Sequence, residues 1–117
     1  MKLCSLNYLK SISPNNPKFV KDMILIFINN VPVSVKAMND SLITSNWKEL
    51  QHHAHKIRSH MDCVEIPKEY VNIAKEIEES AKQQQNLDLI AGLLLTLESV
   101  FQQAYQELDE ELEKNYP

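Results

Sequence analysis

Apolar residues recur every three or four positions along most of the chain, which is the spacing of one face of an α-helix. In the segment 47–64 the apolar positions lie 3, 4, 3, 4 and 3 residues apart, at Trp47, Leu50, Ala54, Ile57, Met61 and Val64. The last segment repeats this alternation of threes and fours at Leu87, Ile90, Leu94, Leu97, Phe101, Ala104 and Leu108. Each stripe predicts a helix that buries one face in a core.

Prolines and small polar residues separate the helical segments. Residues 13–17 divide a long apolar segment, 17–43, from a short N-terminal helical lead-in whose apolar residues are Leu6, Tyr8, Leu9 and Ile12. Asn16 before Pro17 is typical of a helix start, because asparagine caps free N–H groups and proline suits the first helical position. Pro32 lies inside the long segment and lacks an N–H donor. We therefore expect one helix kinked at this proline, with two shorter helices as the alternative.

Ser45 and Asn46 end the long segment, and Pro67 starts a third one. The apolar positions predicted to be buried in the third segment are Tyr70, Ile73, Ile77 and Ala81. The polar stretch 82–86 then predicts a loop before the last helix. Four main helices with short connections favour an all-α fold, an antiparallel four-helix bundle with a short N-terminal helical lead-in. A chain of 117 residues suits one such core, so we expect a single domain over 1–117.

The composition agrees with this fold and narrows the class of partner. A single glycine and abundant Leu, Ala, Glu, Gln and Lys favour long helices. The net charge of −4 argues against nucleic acid as a partner, so protein partners are expected. Cys4 and Cys63 form no C-x-x-C pair, and segments 1–10 and 23–28 lack the apolar length of a signal peptide or membrane span. These features predict a cytoplasmic domain with reduced thiols and no direct membrane contact.

Candidate chemistry lies in the segment 47–64, where four histidines fall within nine residues: His52, His53, His55 and His60. At 100° per residue, His55 points roughly 130° away from the apolar stripe of this helix, out of the core. Arg58 and Ser59 follow on the next turn and place a cation and a small residue beside the imidazole. An exposed imidazole is largely neutral at cytosolic pH and acts as a nucleophile without a base, which suits phosphoryl transfer. The other three histidines are predicted to be surface residues.

The residues around His55 resemble the motif A-H-x-[LI]-[KR]-G of histidine-containing phosphotransfer (HPt) domains. They read Ala54-His55-Lys56-Ile57-Arg58-Ser59, and they follow Asn46-Trp47-Lys48-Glu49-Leu50, where the family often has a polar residue, Trp and then leucine. The stretch Leu6-x-Tyr8-Leu9-x-x-Ile12-Ser13, followed by Asn16-Pro17-x-Phe19-Val20, is similar to the lead-in of many HPt domains. The resemblance spans nearly the whole chain.

The resemblance implies a role for each residue that matches the motif. His55 matches the phosphorylated histidine, and Arg58 matches the basic residue that attends the phosphoryl group. Lys56 supplies a further cation. Ser59 stands at the small position that the family usually fills with glycine, and its hydroxyl either bonds a phosphoryl oxygen or narrows the approach to His55.

Residues outside the motif are accessory candidates or departures from the family pattern. The accessory candidates are His52, one turn before His55, and Glu78 and Lys82 on the following helix. The departures are His60, where a small residue is common, and Glu65, where glycine often ends the helix.

The resemblance also implies partners and a reaction. A receiver domain of a response regulator or hybrid histidine kinase would supply an aspartyl phosphate and a bound magnesium ion, and His55 would take the phosphoryl group by in-line attack. Phospho-His55 would then donate it to the aspartate of another receiver. Because the chain has no P-loop or glycine-rich ATP-binding segment, we expect no autonomous kinase activity. The expected protein is a monomeric phosphoryl carrier without a cofactor of its own, at the border of what counts as an enzyme.

Two alternatives stay open at this point, a metal-binding bundle and a helical-bundle interaction module. Glu49-x-x-His52 is similar to an element of di-iron bundles, but those sites need two such elements and further inward carboxylates. Among the four histidines, only His52 and His55 are spaced to chelate one ion. Because a pair of histidines is not a complete set of metal ligands, we predict no metal site. The other alternative is a helical-bundle interaction module that keeps the fold but performs no phosphotransfer.

Overall fold

The regular structure is helical throughout the part of the chain that the computed structural model describes, residues 2–117. Five helices follow one another along this range: α1 (Asn7–Ile12), α2 (Pro17–Thr44), α3 (Trp47–Cys63), α4 (Lys68–Lys82) and α5 (Leu87–Asn115). The connections between them are short. The all-α prediction is therefore confirmed, and the helix boundaries lie close to those expected from the breakers.

Asparagine side chains cap the N-termini of α2 and α3. The Oδ1 atom of Asn16 accepts a hydrogen bond of 3.1 Å from the Phe19 N–H, with Pro17 at the first helical position. Asn46 caps α3 in the same way, through a 3.2 Å bond from the Glu49 N–H. Such caps satisfy backbone donors that have no partner inside the helix. They mark where α2 and α3 start.

The proline inside α2 does not divide the helix in two. The helix runs from Pro17 to Thr44 with Pro32 in its interior. Proline removes one backbone hydrogen bond and crowds the preceding turn, which together cost about 3 kcal/mol. The neighbouring residues Val31 and Val35 are buried in the core, and their burial offsets that cost. The expectation of a single helix is confirmed and the alternative of two shorter helices is wrong, while the kink at Pro32 stays a prediction.

The core forms where the four long helices meet. α3 packs against α2 and α4, α5 also packs against α2 and α4, and α1 lies against α2. The predicted stripe of α3 is buried at Leu50, Ala54, Ile57 and Met61, and that of α5 is buried from Ile90 to Leu108. The molecule is compact, with extents of 45 × 23 × 22 Å.

The buried face of α4 differs from the prediction. Ile77 and Ala81 are buried as expected, but Tyr70 and Ile73 are only half-buried. Val71 and Ala74 take the inner positions instead. Because α4 packs against both α3 and α5, its inner face is set by the position of those two neighbours rather than by its largest apolar side chains.

The N-terminal segment is tied to the ends of two helices. The backbone N–H groups of Leu3 and Cys4 donate to the carboxylate of Glu107 on α5, each at 2.9 Å. The Ser5 N–H donates to the carbonyl of Val64 at 2.9 Å. Burial, reinforced by the nearby charge of Glu107, raises the pKa of the Cys4 thiol to about 12, so this thiol stays protonated at neutral pH.

α1 is held beside the end of α3 by an unusual residue. Glu65 has a φ of 55°, the left-handed conformation that usually selects glycine. Its Oε2 atom accepts a hydrogen bond of 3.1 Å from the Tyr8 N–H, at the start of α1. A glycine at this turn would adopt the backbone more easily but could not make this bond. The side chain thus links the lead-in helix to the α3–α4 turn.

α5 is, within residues 2–117, the one helix long and apolar enough to cross a membrane by length and composition alone. Of the 18-residue apolar stretch of α5 that meets these criteria, 33% is buried inside the protein. Helices that form the core of soluble proteins reach the same length and hydropathy. The buried stripe of α5 is used for packing against α2 and α4.

Candidate functional site

His55 lies on the outer face of α3. Its neighbours Ala54 and Ile57 are fully buried, so the turn of the helix directs the imidazole away from the core. The His55 side chain is 60% exposed. This is the placement that the angular position of His55 predicts, and it leaves the ring accessible to a second protein.

A carboxylate from the neighbouring helix holds one side of the ring. The Nδ1 atom of His55 lies 3.1 Å from Oε2 of Glu78, which projects from α4. The Glu78 side chain is only 16% exposed. Because an ionised carboxylate can only accept hydrogen bonds, Nδ1 must carry the proton in this contact. In the neutral ring, Nε2 is then the unprotonated nitrogen.

The second carboxylate oxygen of Glu78 faces Arg58. Oε1 of Glu78 lies 3.1 Å from Nη1 of Arg58, which makes a charge contact between α3 and α4. This oxygen is buried, and the contact lacks the alignment of a hydrogen bond. Glu78 is therefore shared between the imidazole and the guanidinium, and Arg58 is held near the ring without being locked by a directional bond.

The other candidate residues also lie at the surface. Ser59 is exposed, and its hydroxyl donates to the backbone carbonyl of His55 over 3.4 Å. Lys56 and Lys82 are exposed, and within residues 2–117 neither forms an ion pair. His52 is exposed, and its ring packs against the His53 ring in a T-shaped arrangement with ring centres 5.1 Å apart. The structure thus brings His55, Arg58 and Glu78 into contact, with Ser59 beside them.

Two of the other histidines are not the free surface residues that the sequence predicts. The side chain of His53 is 13% exposed, and its Nε2 donates to Glu49 at 3.2 Å. Its Nδ1 lies 3.2 Å from the Ser34 hydroxyl on α2. Burial lowers the pKa of His53 despite the nearby Glu49 carboxylate. His60 is half-buried, and burial together with the charge of Lys56 lowers its pKa.

An open cleft lies one helical turn beyond His55. It has a volume of about 670 Å³ and runs between α1 and the α3–α4 turn. The lining residues are Tyr8, Ser59, Asp62, Cys63, Glu65, Ile66, Pro67 and Lys68. The sequence offered no sign of this cleft, because it depends on how α1 is placed against α3. Only the small side chain of Ser59 indicated free space here.

Metal-binding side chains do not gather in the described range. Within residues 2–117, no three His, Cys, Asp or Glu side chains come together in a group that could hold a metal ion.

The chain matches no protein-family model, no curated protein and no solved structure. A functional assignment therefore depends on the residues of this chain and their geometry.

Proposed function

We propose that this protein is a histidine phosphotransfer protein of a two-component phosphorelay, in which His55 accepts a phosphoryl group from one receiver domain and passes it to another. The observation that carries the proposal is the exposed imidazole whose Nδ1 is hydrogen-bonded to Glu78. This arrangement leaves Nε2 as an accessible nucleophile. The proposal also takes the four long helices as an antiparallel four-helix bundle with α1 as the lead-in.

The helix contacts support the bundle. Each of α2, α3, α4 and α5 packs against two of the others, in the cyclic order α2, α3, α4, α5 and back to α2. The connections between successive helices are four residues or fewer. Short connections between packed helices favour opposite directions for neighbours along the chain. Sites in such bundles are commonly built from side chains on facing helices, as with His55 on α3 and Glu78 on α4.

The proposed step needs no proton transfer to a base. The Nε2 lone pair attacks the phosphorus of an aspartyl phosphate in line, the N–P bond forms, and the P–O bond to the aspartate breaks. The aspartate leaves as a carboxylate. The imidazole keeps its proton on Nδ1 and becomes a cation, which faces the negative charge of Glu78 at 3.1 Å. Glu78 thereby orients the ring before the reaction and stabilises the charge formed during it.

Positive charge for the phosphoryl oxygens would come from the same helix. Arg58 touches Glu78 without an aligned hydrogen bond, so its guanidinium can turn toward a phosphoryl group on Nε2. Lys56 is exposed one residue after His55 and adds a further cation. Lys82 at the end of α4, together with His52, is proposed as an accessory group only. Ser59 leaves room for the partner's approach along the helix face.

The partners follow from the reaction. We propose receiver domains of response regulators or hybrid histidine kinases, with a magnesium ion on the receiver and no cofactor on this chain. The protein would act as a monomer in the cytoplasm, without direct contact with a membrane or nucleic acid. It would be a carrier that other proteins load, since its sequence has no ATP-binding motif.

The deciding experiment compares histidine variants with a phosphorylated receiver as donor. His55→Gln should fold like the parent and take up no phosphoryl group, because Nε2 is the proposed nucleophile. His52→Gln, His53→Gln and His60→Gln serve as matched controls and should still be labelled. Labelling that persists in His55→Gln would rule out His55 as the acceptor. Receivers that bind the parent without labelling it would instead identify an interaction module.

A further inference from the structure

The partner of His55 Nδ1 carries a full negative charge, and this has a consequence for the phosphorylated form. A neutral amide at this position would accept the same hydrogen bond and orient the ring equally well. Glu78 adds a charge that is largely shielded from water, since its side chain is only 16% exposed. Charge-assisted hydrogen bonds are about twice as strong as neutral ones. The carboxylate therefore favours a protonated Nδ1 beyond what orientation requires.

The proton on Nδ1 decides how easily the phosphoryl group leaves. When the P–Nε2 bond breaks in a ring that keeps this proton, the leaving group is neutral imidazole. When the proton is absent, the leaving group is the imidazolate anion, which is a far poorer leaving group because it takes the electron pair without charge compensation. The protonation of Nδ1 is thus a control on the lifetime of phosphohistidine.

We propose that Glu78 is a positioning residue that keeps Nδ1 of phospho-His55 protonated and thereby makes the phosphoryl group short-lived, suited to rapid onward transfer rather than to storage. The inference rests on the proposed phosphotransfer function. In the transfer step an aspartate oxygen attacks phosphorus, the P–Nε2 bond breaks, and its electrons return to a ring that still holds the Nδ1 proton. In hydrolysis, a water oxygen attacks phosphorus instead, the P–Nε2 bond breaks, the phosphoryl group leaves as inorganic phosphate, and the water proton goes to solvent.

The other charged groups around His55 act against this effect or lie farther away. On α3 the titratable neighbours are His52, Lys56 and Arg58, and the positive charges of Lys56 and Arg58 disfavour a cationic ring. On α4, helical spacing places Lys75 and Lys82 on the turns next to Glu78. α2 meets α3 on another side, at His53. Glu78 is the group in direct contact with Nδ1, so its charge dominates at this atom.

The test uses chemical phosphorylation, which does not depend on a receiver. The protein is labelled with the small-molecule donor phosphoramidate, and label that remains in His55→Gln is subtracted. At mildly alkaline pH, Glu78→Gln should lengthen the hydrolysis half-life of phospho-His55 by roughly fivefold, the order expected when a charge-assisted hydrogen bond becomes neutral. The pH above which hydrolysis slows should move lower. Glu79→Gln removes the same charge from an exposed neighbour and should change neither value.

A second comparison separates the loss of the Glu78 charge at Nδ1 from the loss of the ion pair between Glu78 and Arg58. Replacing Glu78 frees the guanidinium, which would then stabilise the phosphoryl group directly. The longer half-life should therefore persist when Arg58→Gln is combined with Glu78→Gln, relative to Arg58→Gln alone. A half-life unchanged in Glu78→Gln, or a gain that disappears in the double variant, overturns the proposal. Failure of every receiver to label the parent would overturn the phosphotransfer function instead. The hydrolysis measurement would still be valid, because it uses phosphoramidate and not a receiver.

Discussion

Ser59 controls the space beside His55 at the level of a single side chain. It is exposed, lies one helical turn beyond the histidine, and borders the open cleft next to α1. Its hydroxyl is occupied by the backbone carbonyl of His55, 3.4 Å away. The residue thus adds little to packing, but any larger side chain would project into the path of an approaching protein.

Replacing Ser59 by a bulky residue should separate function from stability. We expect Ser59→Phe to lower the rate of phosphotransfer severely, because in-line transfer needs close approach to Nε2. Its melting temperature should stay near that of the parent, since surface substitutions usually change stability by about 0.5 kcal/mol or less. Ser59→Gly should transfer at the parental rate or faster, at a small cost in helix stability. Transfer by Ser59→Phe at the parental rate would place the docking face elsewhere.

The half-buried His60 should make the protein less stable in acid. Burial and Lys56 lower its pKa in the folded state, so the unfolded chain binds a proton more readily. Above the ordinary pKa of 6.5 both states are neutral at this residue, and as the pH falls below that value the unfolded state gains protons first. Stability is lost over that window. In His60→Gln, the fall in melting temperature between neutral and acidic pH should be smaller, whereas an equal fall would contradict this assignment.

At the scale of an element, the N-terminal segment depends on one carboxylate of α5. Burial would raise the pKa of Glu107, but the N–H groups of Cys4 and Leu3, the Gln103 amide and Lys2 outweigh it, and the pKa is lowered on balance. The charged form is thus the one that holds the segment. Through this segment α5 is connected to the start of α1, which borders the cleft below His55.

Removing that carboxylate should loosen the segment without unfolding the protein. Glu107→Ala takes away the acceptor of two backbone hydrogen bonds, each of which contributes about 1 kcal/mol. We expect a loss of roughly 1–2 kcal/mol in chemical denaturation and faster hydrogen exchange at the amides of Leu3 and Cys4. Glu110→Ala, an exposed carboxylate on the same helix, is the matched control and should alter neither. Unchanged exchange in Glu107→Ala would show that the segment is held by other contacts.

At the scale of the whole molecule, stability should come from the stripes buried between the four long helices. Leu94 is 1% exposed, whereas the adjacent Leu95 is 67% exposed. Leu94→Ala should lower the free energy of unfolding by about 2–5 kcal/mol, because it removes apolar contacts and leaves a cavity. Leu95→Ala makes the same chemical change on the outside and should cost about 0.5 kcal/mol or less. Similar losses in the two variants, measured by denaturant unfolding, would contradict the observed packing.

Local sequence patterns were sufficient to predict the helices and the outward direction of the His55 side chain. Helix caps such as Asn16 and Asn46 act on residues three positions away, and the stripes of α3 and α5 repeat within single helices. Because both features involve residues close together in the chain, they can be predicted from the sequence. For the same reason the outward placement of His55 followed from its angle to Leu50 and Ile57.

Features that depend on distances between helices could not be predicted from local patterns. Which residues of α4 are buried, Val71 and Ala74 rather than Tyr70 and Ile73, depends on where α3 and α5 lie against it. The packing of α2 against α3 likewise brings His53 to Ser34, which is 19 positions away.

The contact between His55 and Glu78 spans 23 positions and exists only because α3 and α4 pack side by side. An exposed imidazole beside Arg58 and Ser59 could be predicted from the residues of α3 alone. The packing of α4 against α3 decided that a shielded carboxylate meets its Nδ1, because the relative position of two helices is set by the whole core and not by the residues next to the histidine.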